Sequence, residues 1–213
     1  MHLRLRLPST TDVNNPTHPP APWPTAMRDP APMLENALRE WGGKRDLWVF
    51  AYASLIWRPD FDVVEQHLAR VHGWHRALKM WSRVNRGTVD RPGLVFALLS
   101  GGSCHGAVLR VARRDGASVL QKLWDREMVT GVYDPKWLPC TTRQGPVTAL
   151  AFTLSRRSPN FTGELSAQRY REIFSEARGR YGSTLEYADQ TLRCLQQHGI
   201  RDHALHRLLG HAG

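Results

Sequence analysis

Cysteine is scarce in this chain: three in 213 residues, Cys104, Cys140 and Cys194. They are odd in number, far apart and contain no C-x-x-C pair. That argues against a disulfide framework and a cysteine-ligated zinc site, and it fits a reducing cytoplasm. Long apolar runs are missing as well. The longest uncharged apolar stretch runs from Leu47 to Trp57, well short of the ~20 residues a membrane-spanning helix needs. Met1 to Leu7 alternates arginine with leucine, so it lacks the uninterrupted apolar region of a signal peptide. No glycine-rich phosphate loop of a recognised spacing occurs, and no internal repeat. Lysine is limited to Lys44, Lys79, Lys122 and Lys136, so arginine carries most of the formal net charge of +10. The arginines are scattered, whereas a nucleic-acid-binding domain gathers its charge on one face or stripe. Neither a nucleic acid nor a membrane is expected as a partner.

Metal ligands are also lacking. His72 and His75 fall in an expected strand, where a spacing of three puts them on opposite faces. His203 and His206 share a helical face but have no third ligand. Cys104 beside His105 has the residue types of a thiol nucleophile and its base, yet adjacent strand residues point apart.

What the chain does contain suits one domain with a leader. Eight of the fourteen prolines lie in the first 32 residues. A segment so poor in burial capacity cannot offset its ordering entropy. Residues 1–32 are expected as a disordered Pro-rich leader and 33–213 as the folded domain, with Met27 and Met33 both candidate starts. A domain of roughly 180 residues buries about 70% of its unfolded surface and needs no staple. Apolar spacing predicts a helix over 33–41, ended by Gly42-Gly43, and a buried strand over 47–53. A loop over 54–60 follows. Strands are predicted over 71–81, 94–99 and 106–112, with Gly101-Gly102 as a turn between the last two. A helix over 117–128, strands over 132–138 and 147–154, and helices over 166–179 and 183–198 complete the pattern. Successive strands with inserted and appended helices predict an α+β fold with a largely antiparallel, barrel-like sheet.

Three features bear on chemistry. Leu120, Leu123, Trp124 and Glu127 fall at i, i+3, i+4 and i+7, on one helix face, while Lys122, Asp125 and Arg126 point elsewhere. A carboxylate thus ends a stripe that should face the core. Desolvation there would raise its pKa and poise it for proton transfer near neutral pH. The spacing is equally compatible with a buried glutamate paired with an arginine, or with an exposed one. At Tyr52-Ala53-Ser54-Leu55 a strand ends where a hydroxyl appears; successive N–H groups in such a turn can form an anion-binding concavity, though a plain turn reads the same. Tyr133 follows Glu127 past Gly131, in reach of the same pocket or simply at the rim of the core.

Taken together, Val49-Phe50-Ala51-Tyr52-Ala53-Ser54-Leu55-Ile56-Trp57-Arg58-Pro59 resembles the Tyr-Gly-Ser-Leu-Ile-Trp signature of ChaC-like γ-glutamylcyclotransferases. Arg86-Gly87-Thr88 with Arg91-Pro92-Gly93, then Gly101-Gly102-Ser103-Cys104 with Gly106, resemble the next two blocks. Leu123 to Tyr133 is similar to the catalytic helix and the tyrosine after it. The blocks occur in family order over 47–138. The resemblance implies a γ-glutamylcyclotransferase-like small mixed β-barrel with flanking helices and Glu127 as catalytic acid/base. It implies that Tyr52, Ala53, Ser54 and Leu55 line the γ-glutamyl site and that Tyr133 contacts it, with Arg86 a further contact for an anionic substrate. It implies glutathione as substrate, 5-oxoproline and Cys-Gly as products, and no cofactor or metal. The alternatives are a cyclotransferase for other γ-glutamyl peptides or amines, or a non-catalytic binding protein linked to cation transport. The signature glycine is Ala53 here. If the position needs φ > 0, alanine costs about 1–2 kcal/mol; with φ negative, its methyl only narrows the pocket.

Overall fold

A computed structural model describes residues 28–211. Nearly all of the expected Pro-rich leader lies outside the described residues. Helix α1 (Ala31–Trp41) starts behind Pro30 and stops at Gly42, which takes φ 70° and donates its N–H to the Leu38 carbonyl. Strand β1 (Leu47–Ala51) follows, almost wholly buried. Where a loop over 54–60 is expected, Ser54–Trp57 form one helical turn, α2.

Two long strands dominate the barrel, β2 (Glu65–Ser82) and β3 (Gly93–Val111), paired antiparallel along most of their length. The turn expected at Gly101-Gly102 is not there. Both glycines take positive φ, 98° and 72°, but they form a bulge within continuous β3. The register slips there, between His72 opposite Ser103 and Trp74 opposite Ser100. Glycine supplies the left-handed backbone of a bulge as readily as that of a turn, so the local signal was real and its meaning was set by the partner strand. Cys104 is buried and His105 exposed, as adjacent strand residues should be.

After a single 3-10 turn (Arg113–Asp115) come α3 (Gly116–Glu127) and the antiparallel pair β4 (Asp134–Thr142) and β5 (Gly145–Thr153). The barrel closes in the order β1-β3-β2-β4-β5. Parallel pairings of β5 with β1, at Val49 and Leu150, and with β3, at Leu98 and Thr153, complete it. The sheet is therefore mixed, though mainly antiparallel. Helix α4 (Ala167–Glu176), the two-residue strands β6 (Arg178–Gly179) and β7 (Gly182–Ser183), α5 (Thr184–Gln197) and α6 (His203–Leu209) follow.

The core holds Phe50, Leu94, Leu98, Leu109 and Phe152 from the barrel, Leu120 and Leu123 from α3, and Leu195 from α5, all below 2% exposed. Each such side chain contributes about 1.5–3 kcal/mol when fully buried. The helices cap the barrel with their apolar faces, and that brings the ends of α3 and α5 to the β1–α2 turn.

Candidate active site

Glu127 is the last residue of α3. Val119, Leu120, Leu123 and Trp124 bury the face that it ends. Trp124 meets the Phe152 ring edge-on with centroids 5.5 Å apart, which fixes the helix against the barrel. The Glu127 side chain is 18% exposed. Burial raises its pKa above the ordinary carboxylate value. The Arg126 guanidinium, with Nε 3.0 Å from Glu127 Oε1, pulls it down, and Asp60 pushes it up. Desolvation is the largest of these influences and the net direction is upward. The C-terminal end of the α3 dipole acts in the same sense, since it disfavours negative charge. The pairing with an arginine and the raised pKa, alternatives at the level of spacing, thus coexist.

Arg126 was expected to point away from Glu127; instead it turns back along the helix end. Its Nη2 donates to Ser54 Oγ at 2.9 Å. Its Nη1 donates to the Arg58 carbonyl at 2.6 Å and to Asp60 Oδ2 at 2.7 Å. One planar fork therefore ties the carboxylate to the α2 turn. Ser54 is brought to Glu127 by this link.

The turn is held from the other side by Arg76, only 4% exposed in its side chain and paired with Asp202 Oδ2 at 2.6 Å. Arg76 Nη1 donates to the Tyr52 carbonyl at 2.7 Å. Ala53 takes φ −144°, so the position does not call for the positive φ that only glycine adopts freely. Leu55 is buried; what it offers a ligand is backbone. The N–H groups of Ser54 and Leu55 precede the first internal hydrogen bond of the turn and are not used by it.

Three buried tyrosines, Tyr52, Tyr133 and Tyr187, feel the Glu127 charge. Tyr52 donates its hydroxyl to the Phe152 carbonyl at 2.9 Å, and Tyr133 to the Phe96 carbonyl at 3.2 Å. Burial raises the pKa of both well above that of a free phenol, and the Glu127 charge raises each further. Both remain protonated donors at neutral pH. Tyr187, one turn into α5, is raised in the same way by burial and by Glu127. Glu127, Tyr52 and Tyr133 are therefore together, as expected. Tyr187 was missed. It comes from a distant helix, and its only local signal is the Ser-x-x-Glu capping box that sets the start of α5. Ser183 Oγ accepts the Glu186 N–H and Glu186 Oε2 accepts the Ser183 N–H.

Arg86 does not touch Glu127. Its guanidinium lies over the Tyr187 ring, 4.8 Å from the centroid, and faces a cleft of about 570 Å³ lined by Trp57, Arg58, Arg86, Tyr181, Glu186 and Gln190. Tyr187 relates the two regions: its ring carries the Arg86 guanidinium and meets the cleft residue Trp57 at 6.4 Å, and the Glu127 charge acts on its hydroxyl. The loop bearing Arg86 is drawn tight: a Cβ on Gly93 would lie 2.0 Å from the Arg86 carbonyl oxygen. No cluster of histidine, cysteine, aspartate or glutamate suited to a metal occurs among the described residues.

Comparison with known proteins now decides the lineage. Residues 47–212 match the model of the ChaC-like protein family. The chain belongs to the ChaC-like family. Among its relatives, the glutathione-specific γ-glutamylcyclotransferase of Escherichia coli (strain K12) is 32% identical over 164 residues, covering 76% of this chain and 71% of the relative. Glutathione-specific γ-glutamylcyclotransferase 1 of Homo sapiens is 30% identical over 169 residues, covering 77% and 76%. The ChaC-like barrel also superposes on the crystal structure of a γ-glutamyl cyclotransferase specific to glutathione from yeast. The TM-score is 0.73 at 19% identity, over 79% of this chain and 96% of that one, which establishes the shared fold.

Proposed function

We propose that the chain is a glutathione-specific γ-glutamylcyclotransferase that converts glutathione to 5-oxoproline and Cys-Gly. The observation that carries this reading is Glu127: a carboxylate of raised pKa, mostly withdrawn from water, beside three protonated tyrosines and the Ser54 turn. The relatives' names supply the substrate.

The substrate carries its own nucleophile. Its α-amine attacks the γ-carbonyl carbon, a C–N bond forms, the original γ-amide C–N bond breaks, and a five-membered lactam results. The α-ammonium gives up two protons, one before attack and one from the nitrogen that becomes the lactam N–H. The departing nitrogen gains two and leaves as the ammonium of Cys-Gly. In this proposal Glu127 accepts protons from the first nitrogen and returns them to the second. The Ser54 and Leu55 N–H groups hold a substrate oxygen, and Tyr52 and Tyr133 line the γ-glutamyl site beside Ala53. Holding the chain bent supplies the rest, because well-oriented intramolecular attack reaches effective molarities of about 10⁵–10⁸ M. Arg86 attracts the anionic substrate. The residues in their roles here require no cofactor. Three free, buried cysteines, odd in number and far apart in sequence, suit a reducing compartment, the cytoplasm.

The test is 5-oxoproline release from glutathione and from γ-glutamyl-alanine by the wild type and by Glu127→Gln. Glutathione should be strongly preferred, and Glu127→Gln should lower kcat by about 10²–10⁴-fold. Wild-type turnover surviving the substitution would refute the role of Glu127, and equal use of both peptides would refute glutathione specificity.

A further inference from the structure

Arg86 is of intermediate exposure, and its guanidinium makes no ion pair with any described carboxylate. Its protein partners are the Tyr181 carbonyl, which accepts from Nη1, and the Tyr187 ring. Desolvation disfavours its charge, and an anion in the cleft would offset that cost. A second guanidinium, Arg58, lines the same cleft and is near enough for the two charges to oppose one another. Arg58 is engaged by Asp60 through Nε at 3.1 Å and lies over the Tyr181 ring. The one carboxylate in the lining, Glu186, acts on the Arg86 charge from a distance but makes its own contacts with other groups. Its Oε2 accepts the Ser183 N–H at 2.8 Å and its Oε1 faces Arg178 at 3.5 Å.

We infer that Arg86 and Arg58 form a receptor for the C-terminal carboxylate of the departing dipeptide, so that the enzyme selects γ-glutamyl peptides ending in a free carboxylate. The inference rests on the cyclotransferase reading. It assigns the cleft to the leaving half of the substrate, while Glu127 and the Ser54 turn serve the γ-glutamyl half. Two residues beyond the scissile bond extend about 7 Å, and the Arg86 guanidinium lies 4.8 Å from the centroid of Tyr187, a side chain on which the Glu127 charge also acts. A volume of about 570 Å³ suits a small peptide fragment. Two guanidiniums on an aromatic wall match a carboxylate by bidentate hydrogen bonding as well as by charge.

The experiment compares glutathione with glutathione whose glycine carboxyl is amidated, which keeps the size and the γ-glutamyl group. The wild type should use the amide with kcat unchanged and KM raised about tenfold or more, the scale of a charge-assisted hydrogen bond. Arg86→Met should raise KM for glutathione to that of the amide and leave the amide unaffected; Arg86→Lys should restore part of the preference. Arg58→Met, which leaves the Tyr187 stack alone, should narrow the preference as well. Equal KM values in the wild type, or an undiminished preference in both Met variants, would overturn the assignment while leaving the cyclotransferase reading intact. Failure of the wild type to release 5-oxoproline from either peptide would overturn that reading, and this inference with it.

Discussion

Glu127 is under opposed influences, and their sum decides its chemistry. Burial and Asp60 favour the protonated form, while Arg126 favours the charged form. In the proposed mechanism Glu127 serves as base only when ionised, so activity should fall as pH drops through a value above the ordinary carboxylate range. Asp60→Asn removes a negative charge and frees Arg126 for Glu127, so the acid limb of the kcat/KM profile should move to lower pH. Arg126→Met removes the stabilising cation, so the limb should move to higher pH. Profiles of 5-oxoproline release for the three proteins check both signs. The same burial bears on stability. A carboxyl whose folded pKa is raised favours folding at low pH, and that contribution is lost as pH rises. Glu127→Gln, neutral throughout, should therefore match or exceed the wild type in Tm at neutral pH. Glu127 was legible because the i, i+3, i+4, i+7 rule places it on a buried face. Tyr187 was not, since nothing local says that an α5 tyrosine will meet the end of α3.

The elements show where local signals suffice and where pairing overrides them. Helices α3 and α5 begin and end within a residue or two of where periodicity puts them, because their apolar stripes and ends are encoded in adjacent residues. The Gly101-Gly102 bulge was misread, because only the partner β2 tells a bulge from a turn. The Arg76–Asp202 pair, which joins β2 to the N-cap of α6 and supports the Tyr52 carbonyl, had no signal at all; neither residue sits in a motif. Asp202→Asn strands a buried guanidinium and should cost about 3 kcal/mol, read from urea denaturation. Gly93→Ala puts a methyl carbon 2.0 Å from the Arg86 carbonyl. It should loosen the loop and raise KM for glutathione in step with its loss of stability.

At the scale of the molecule, the start of the described chain braces the site. Arg28 donates Nε to the Gly131 carbonyl and Nη2 to the Tyr133 carbonyl, both at 2.7 Å, and pairs with Asp134 at 2.6 Å. Pro30 accepts the Trp124 indole N–H at 3.0 Å. Relative to a chain beginning at Met27, one beginning at Met33 should lose about 1–3 kcal/mol through these bonds, seen as a lower denaturation midpoint.

The claim beneath all of this is that one withdrawn carboxyl carries the protons. A carbon-13 NMR titration of the Glu127 carboxyl, set beside the pH profile of 5-oxoproline release, tests it most directly. The account predicts a single pKa for both, above the ordinary carboxylate value and shifted together by Asp60→Asn. A Glu127 carboxyl that titrates at or below the ordinary value, or apart from the activity, would contradict it.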